Sequence, residues 1–438
     1  MAFNDAPIDS ESAERLRGHD LRLALVDTSD REAFAAWLQA DARGFHGPRV
    51  TQSELDEQLH HNAYRRTTGV WDDTAPEPRT PVATVSSWTT PLSLPGGESL
   101  DAWAISSVTV SPTHRRRGIA RALLESELRT AHACGIPLAI LTVSEATIYS
   151  RYGFGPAAMA AALRLDTRKT GWAGPAASGR AHFVTPQHVH DELRGLMERA
   201  RRAVPGEIEL DDYLWARLCG LVGDPKDEAK HLRAVRYDDA GGEPQGFALY
   251  RVDGSDDDFT RHTASVQYVC AATDDAYAGL WRYLIELDLV GTVTAELQSV
   301  DEPVRWQVAD MRAVHARPTD HLWARIIDVT AALEARRYAA PGTLAFDITD
   351  LLGFADGRIL VDIDPDGLAH VSPLAGDAPV GVPSVALNVA DLSSLYLGGV
   401  SASTLARAGR VTEMVPGSAA AIDASFRSSV PPRLSIWF

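Results

Sequence analysis

The chain has 438 residues, of which 45% are hydrophobic and 23% are charged, as is typical of globular proteins that fold in water. This length predicts two or three domains rather than a single core. The formal net charge of −17 argues against a nucleic-acid partner and favours cationic ligands. The three cysteines are widely spaced, so neither a disulfide framework nor a zinc site is expected.

The beginning of the chain is polar and acidic, and residues 1–18 are expected to form a disordered lead. They lack the apolar segment of a signal peptide. No run in the sequence approaches the roughly 18 apolar residues of a membrane span. We therefore expect a cytoplasmic protein with no membrane span; secretion without a signal peptide stays open.

Residues 19–166 are expected to form the first domain. Residues 21–26 alternate like a strand, and residues 27–30 can cap a helix that carries Trp37. A helix at 50–65, strands at 70–71 and 82–88 and a turn at 91–98 are expected to follow.

The most informative stretch of this domain runs from Ala104 to Ala120. Residues 104–110 are apolar and β-branched and predict a strand, and residues 115–120 open a helix with an apolar face. Such a strand, basic turn and helix N-terminus form an anion site, because free N–H groups and the positive helix end point to the same place. Gly118 allows the backbone to approach a phosphate, and arginines add charge-assisted hydrogen bonds. We interpret this stretch as a pyrophosphate cradle; a basic helix start on the surface is the alternative.

A second strand is predicted at 138–143, where the run is apolar without alternation, as in strands buried on both faces. Ser144 and Glu145 follow it. A short helix then carries Tyr149 and Tyr152 and ends at Gly153.

Two further domains are expected. Residues 167–320 repeat the strand and helix order of the first domain but lack the Arg-x-x-Gly-x-Ala pattern of the cradle, so they predict a second unit without a cofactor site. Residues 321–438 predict a third, α+β domain, in which 323–329 leads into a helix and short helices cover a small sheet. The chain ends in an apolar segment at Trp437 and Phe438, which we expect to be docked, because free ends normally fray.

The cradle resembles the acetyl-CoA loop of the GCN5-related N-acetyltransferases, whose Arg/Gln-x-x-Gly-x-Gly/Ala signature follows a strand ending in Val-x-Val. With the block from Ser144 to Gly155 and the terminal aromatic residue, the chain is similar to the Eis family. This resemblance implies an α/β (mixed α+β) architecture of two acetyltransferase folds and a sterol-carrier-like domain. It also implies a homo-hexamer that acetylates several amines on cationic acceptors such as aminoglycosides.

The resemblance further implies which residues hold acetyl-CoA, the acetyl donor. The main chain of Val108, Thr109 and Val110 would bond the pantetheine arm, and Ser144 and Glu145 would line the far wall of the slot. The pyrophosphate would be held by Arg116, Arg117, Gly118, Ile119, Ala120 and Arg121. No metal is implied, and the histidines show no metal-ligand spacing.

Tyr149 and Phe438 would be the catalytic residues. An ammonium group must lose a proton before it attacks a thioester, so the α-carboxylate of Phe438 would be the general base. Its ordinary pKa of about 3.3–3.7 is low for a base, but burial beside aromatic rings would raise it. Tyr149 would protonate the departing thiolate, with Tyr152 as the competing candidate. Cys134 is interpreted as a small buried residue, so direct transfer in a ternary complex is predicted.

The acceptor pocket is expected to be walled by Trp37, Phe45, Ser106, Ser107 and the C-terminal tail. The sequence assigns no acidic lining for a polycation. Acetylation of lysine or of other amines is therefore the alternative. A carrier of apolar ligands with a relic acetyltransferase fold is the rival hypothesis from another class.

Overall fold

The computed structural model describes residues 3–222, 229–255 and 258–438, which form a twelve-stranded sheet with flanking helices and a separate five-stranded sheet. The strands of the large sheet are β1 (Arg22–Leu25), β2 (Arg66–Trp71), β3 (Ala83–Ser93), β4 (Ser99–Val110), β5 (Leu138–Thr142), β6 (Gly155–Asp166), β7 (Arg180–Val184), β8 (Arg233–Asp238), β9 (Pro244–Asp253), β10 (His262–Ala271), β11 (Val290–Gln298) and β12 (Val314–Ile326). The helices of the same part of the chain are α1 (Ser10–Arg17), α2 (Arg31–Gly44), α3 (Gln52–Asn62), α4 (Ile119–Ala133), α5 (Ala146–Tyr149), α6 (Thr167–Thr170), α7 (Pro186–Glu192), α8 (Arg194–Arg202), α9 (Asp212–Leu218), α10 (Asp274–Ile285) and α11 (Val329–Ala335).

The large sheet joins two α/β units edge to edge. Its strand order is β1-β2-β3-β4-β5-β12-β6-β11-β10-β9-β8-β7. The first unit (residues 10–152) contains the parallel pair β4 and β5, and the second unit (residues 155–326) contains the parallel pair β10 and β11. In each unit a helix, α4 or α10, connects the two parallel strands, as parallel pairing requires a crossover.

Strand β12 shows that the expected domain boundary at residue 320 is wrong. Residues 321–326 are not the start of the third domain, because they pair antiparallel with β5 on one side and with β6 on the other. Leu322, Ala324 and Ile326 are fully buried there, and α11 begins only at Val329. An apolar run of this length does not reveal which sheet it will join, so the local pattern was insufficient.

The expectation of a disordered lead at 1–18 is wrong, because this segment contains the helix α1. Asp9 caps α1 and pairs with Arg129 of α4 at 2.9 Å. Leu16 on the inner face of α1 is fully buried in the core that includes α4. Short polar helices of this kind are marginal alone and are stabilised by tertiary contacts, which composition does not reveal.

The third domain folds around the five-stranded sheet, whose order is β15-β14-β13-β16-β17. Its elements are β13 (Gly342–Thr349), β14 (Gly357–Ile363), β15 (Ala369–Pro373), β16 (Ser384–Asn388), α12 (Val389–Leu395), α13 (Ala402–Arg407), β17 (Thr412–Glu413) and α14 (Ser418–Phe426). The C-terminal tail (residues 427–438) follows α14 without helix or strand and returns to the first two units, where Leu434 is fully buried.

Among the described residues, no helix combines the length and the apolarity that a membrane crossing needs. Within the same ranges, no three His, Cys, Asp or Glu side chains come together in a way that suits a metal ion. Cys134, Cys219 and Cys270 are free thiols.

Candidate active site

The site lies where β4 and β5 separate. The two strands pair in parallel only as far as Ile105 and Leu141. Immediately beyond, Ser107 adopts a left-handed backbone with φ of 56°, and the register between β3 and β4 shifts. A bulge bends a strand and ends its pairing. A cavity of about 260 Å³ opens in the resulting gap, and no strand of the described residues pairs with β4 on this side beyond Ile105.

The predicted cradle lies at the turn between β4 and α4. Gly118 is the N-cap of α4, with φ of 74° and no side chain to cap the helix, so the first amide groups of α4 keep their hydrogen-bonding capacity. A Cβ built on Gly118 would meet no atom within 4 Å, so the space above it is open. Ile119 is buried beneath the turn and fixes the helix start. This geometry suits a phosphate group.

The cradle arginines are exposed and differ in their partners. Arg117 lies 3.8 Å from Asp72, and Arg121 pairs with Glu125 at 2.6 Å. Arg116 has no such partner within the described ranges, and its backbone is left-handed with φ of 65°. Strained backbone of this kind concentrates at binding sites. Arg116 is therefore the cradle arginine most available to a ligand.

The cavity between β4 and β5 brings together residues from the first unit and from the C-terminal tail. Its lining consists of Phe45, Ile105, Ser106, Ser107, Val108, Leu141, Thr142, Ser144, Tyr149, Trp437 and Phe438. Glu145 is exposed beside this cavity, and the Thr109 side chain turns away from it to the Thr84 hydroxyl at 2.6 Å. No acidic side chain of the described residues belongs to this lining.

Tyr149 reaches the cavity from the short helix α5, which directly follows β5. Its side chain is buried, and its ring packs on Phe154. Burial raises the pKa of the Tyr149 phenol, and the nearby negative charge of Glu145 adds to the rise. The phenol therefore stays protonated at neutral pH and is able to donate a proton.

Phe438 of the C-terminal tail lines the same cavity. Its main-chain oxygen accepts a hydrogen bond of 3.0 Å from the Thr142 hydroxyl at the end of β5. Its ring packs edge-on against Trp88, with 5.4 Å between the ring centroids. The tail is therefore docked, as its apolar character predicted, and Phe438 and Tyr149 line the same cavity.

Three other candidates lie elsewhere. Tyr152 lines a separate pocket between α5 and the third domain, so it does not compete with Tyr149 for the cavity. Cys134 forms the C-cap of α4 and is not part of the cavity lining. Trp37 is buried in a small core between α2 and β2, where its indole N–H donates to the Thr68 carbonyl. The prediction that Trp37 walls the acceptor pocket is wrong, because helical periodicity turned its side chain to the core.

Asp41 on α2 is a feature of the site that the sequence did not reveal. Its Oδ1 is buried without a hydrogen-bond partner in the described part of the chain. Burial raises the pKa of the Asp41 carboxyl from 3.8 to about 7, although the Ser107 and Thr84 hydroxyls act in the opposite direction. No motif marks this carboxyl, since only folding brings α2 against the bulge of β4.

Two α/β units, a splayed parallel strand pair and an open cradle at the start of α4 define the class of protein. Models of the acetyltransferase (GNAT) domain match residues 26–157 and 206–326, and a sterol carrier protein domain model matches residues 329–435. The chain is therefore a GCN5-related N-acetyltransferase, an acyltransferase enzyme of a class that uses acetyl-CoA, and the predicted order of the three folds is confirmed.

The chain belongs to the Eis family of N-acetyltransferases. It is 34% identical to the N-acetyltransferase Eis of Mycobacterium tuberculosis over 356 residues, which cover 79% of this chain and 83% of that protein. It is 36% identical over 409 residues to an uncharacterised N-acetyltransferase of Streptomyces avermitilis, covering 91% of this chain and 94% of that protein. The crystal structure of Eis1 from Mycobacterium abscessus superposes with a TM-score of 0.80 and 26% identity, over 95% of this chain and all of that one.

Proposed function

We propose that this enzyme transfers the acetyl group of acetyl-CoA to an amine in the cavity between β4 and β5. Tyr149 acts as the general acid and the α-carboxylate of Phe438 acts as the general base. The observation that carries this proposal is that both residues, although 289 positions apart in the sequence, line one cavity at the end of β5.

The cradle residues hold acetyl-CoA in this proposal. The amides of Gly118, Ile119, Ala120 and Arg121 at the start of α4, with the side chains of Arg116 and Arg117, bind the pyrophosphate. The free edge of β4 at Val108, Thr109 and Val110 bonds the pantetheine arm, and Ser144 and Glu145 form the opposite wall. The support is the open space above Gly118 and the strand edge without a partner.

The reaction needs one proton acceptor and one proton donor. The acceptor enters as an ammonium group and gives a proton to the Phe438 carboxylate. The free amine then attacks the thioester carbonyl, so that a C–N bond forms and the C–S bond breaks. The departing sulfur takes a proton from the phenol of Tyr149. The nitrogen loses its second proton as the amide forms, which restores the phenol of Tyr149, and the proton held by the Phe438 carboxylate passes to solvent. Each such proton transfer is typically worth about 10²–10⁴-fold in rate.

Transfer is direct, in a ternary complex. Ser106, Ser107 and Ser144 supply hydroxyl groups to the lining, but no histidine or lysine lies among the lining residues to activate them, and Cys134 is outside. A covalent acetyl-enzyme would need such an activated nucleophile.

The proposed acceptors are amines of cationic molecules such as aminoglycosides, acetylated at several positions. The net charge of −17 and the carboxylate in the cavity favour a cation. The rest of the lining is apolar or carries hydroxyl groups, which equally suits a lysine side chain or another simple amine. Hexameric assembly and a cytoplasmic location stay predictions.

Thiol release from acetyl-CoA tests the proposal. Kanamycin, tobramycin, a lysine-containing peptide and a simple aliphatic amine are each supplied to the purified enzyme. Release with the aminoglycosides, and more than one acetyl group per molecule by mass spectrometry, is the expected result. Release with the lysine peptide alone would replace the acceptor class. Tight CoA binding without release from any amine would overturn the enzyme assignment in favour of the carrier.

A further inference from the structure

The last three residues of the chain are each held by a side-chain donor from a different element. The donors lie on the second unit's β12 and α9 and on the first unit's β5. The hydrogen bonds are His321 Nε2 to the Ile436 carbonyl at 2.8 Å, Arg217 Nη2 to the Trp437 carbonyl at 2.6 Å and the Thr142 hydroxyl to Phe438 at 3.0 Å.

His321 is the buried member of this group. It is 1% exposed, and its ring lies against Trp437 with 4.4 Å between the ring centroids. Because a carbonyl only accepts hydrogen bonds, Nε2 carries the proton. Nδ1 is then an acceptor without a partner in the described ranges. Burial lowers the pKa of His321, so the ring is neutral at physiological pH.

A second attachment lies just upstream in the tail. The buried carboxylate of Glu207 accepts hydrogen bonds from the Ser435 amide at 3.2 Å and the Ser435 hydroxyl at 2.9 Å, and it lies 3.3 Å from Arg433. The same segment is tied to β3 of the first unit, since Gly206 and Glu207 exchange main-chain hydrogen bonds of 2.8 Å with Ser93. The tail is therefore held by a part of the second unit that is itself fixed to the first.

The start of the second unit's crossover helix differs from the cradle of the first unit. Its crossover helix α10 is capped by the Thr273 hydroxyl, which accepts from the Ala276 amide, and Asp274 and Asp275 occupy the first turn. The equivalent start of α4 has Gly118 without a side-chain cap and no acidic residue in the first turn. Acidic side chains at a helix start repel phosphates. What the second unit does contact is the C-terminal tail.

We propose that the second unit is a clamp for the C-terminal tail, in which Arg217 and His321 are positioning residues that set the place of the Phe438 carboxylate in the cavity. This inference rests on the proposed role of Phe438 as the general base. The clamp acts only through the tail and touches neither the cradle nor Tyr149. Its loss should therefore reduce the rate of the chemical step and leave the binding of acetyl-CoA unchanged.

The test uses Arg217→Ala in the full-length enzyme. Arg217 is exposed, so its removal leaves the fold intact. A displacement of about 1 Å at a reacting group costs up to about 10²-fold. We expect kcat to fall by about tenfold, with KM for acetyl-CoA unchanged. Arg217→Lys, which keeps a charged donor, should recover part of the rate. The matched control is Arg282→Ala, which removes an exposed arginine of α10 that pairs with Glu286; this variant should retain the full rate.

A double-mutant cycle distinguishes a failure of the clamp proposal from a failure of the proposal that Phe438 is the general base. Each Arg217 variant is also made with one glycine added after Phe438. If Arg217 acts through the carboxylate, Arg217→Ala should have no further effect in the extended enzyme. Full kcat in the extended enzyme alone would refute the role of Phe438. A reduced kcat in the extended enzyme, together with full kcat in Arg217→Ala and in His321→Ala, would refute the clamp and leave the base in place.

Discussion

Adding one glycine after Phe438 separates the charge of the terminus from its packing. The terminal carboxylate is then displaced by one residue, and consecutive Cα atoms are about 3.8 Å apart. The Phe438 carbonyl remains available to the Thr142 hydroxyl, and the ring can still pack on Trp88. The extension removes the negative charge from Phe438, whose second oxygen is replaced by the amide nitrogen of the added glycine.

The expected loss in kcat follows from this geometry. General-base help is worth about 10²–10⁴-fold, and the displacement greatly exceeds the roughly 1 Å that already costs about 10²-fold. We expect kcat in the thiol-release assay to fall by at least about 10²-fold at saturating acetyl-CoA. The dissociation constant of CoA, measured by calorimetry, should stay within about twofold, because the cradle at Gly118 lies on another element and is complete without the tail.

Two control variants distinguish loss of the terminal charge from other effects of the extension. Phe438→Leu keeps the carboxylate and loses the edge-on contact with Trp88, so it should retain far more activity than the extended enzyme. A glycine added at the N-terminus should have no effect. An extended enzyme with full kcat would show that the tail is structural. The base would then have to be sought at Asp41, the buried carboxyl beside Ser107.

Four further outcomes are expected. Gly118→Val should fill the space that a phosphate needs, and Arg116→Ala should remove a charge-assisted contact worth about 1.5–3 kcal/mol. Both variants should therefore raise KM for acetyl-CoA and leave KM for the acceptor nearly unchanged. Unchanged CoA affinity in both variants would contradict the cradle. Tyr149→Phe should lower kcat by about 10²-fold or more with CoA binding kept, because the phenol proton is lost and the ring remains. Cys134→Ala should keep most of the activity, and double-reciprocal plots should intersect; parallel lines would indicate an acetyl-enzyme. Asp41→Asn should remove one contribution to the pH dependence of stability. The folded pKa of about 7 exceeds the ordinary 3.8, so Asp41 should lower the free energy of unfolding of the unmodified enzyme as the pH rises from about 4 to 7, by on the order of 4 kcal/mol, and the urea denaturation midpoints of Asp41→Asn should lack this part of the fall.

The cradle could be predicted from the sequence because its determinants are local. A strand, a basic turn with one glycine and a helix follow each other within 104–133, and each is specified by neighbouring residues. The same holds in the third domain, where short helices such as Ser418–Phe426 accompany a small sheet that includes Gly357–Ile363, as the local pattern predicts. Tyr149 lies at the cavity for a local reason too, since α5 directly follows β5.

The features that could not be predicted all depend on contacts between distant parts of the chain. Residues 321–326 resemble the start of a domain in the sequence, and only the sheet register shows that they lie between β5 and β6. The burial of Asp41 depends on how α2 packs on a bulge in another element. The contact of Arg217 with Trp437 joins residues that are 220 positions apart. No periodicity or motif encodes such pairings.

The insertion of β12 between β5 and β6 also affects how the protein is made. Leu138 pairs with Ile326, which emerges from the ribosome 188 residues later. At translation speeds of about 5–20 residues per second, β12 is synthesised roughly 10–40 s after β5. During that interval the nascent first unit presents an apolar strand edge, which is a site for mispairing with other chains. The edge of β5 therefore stays without its native partner until most of the second unit has been translated.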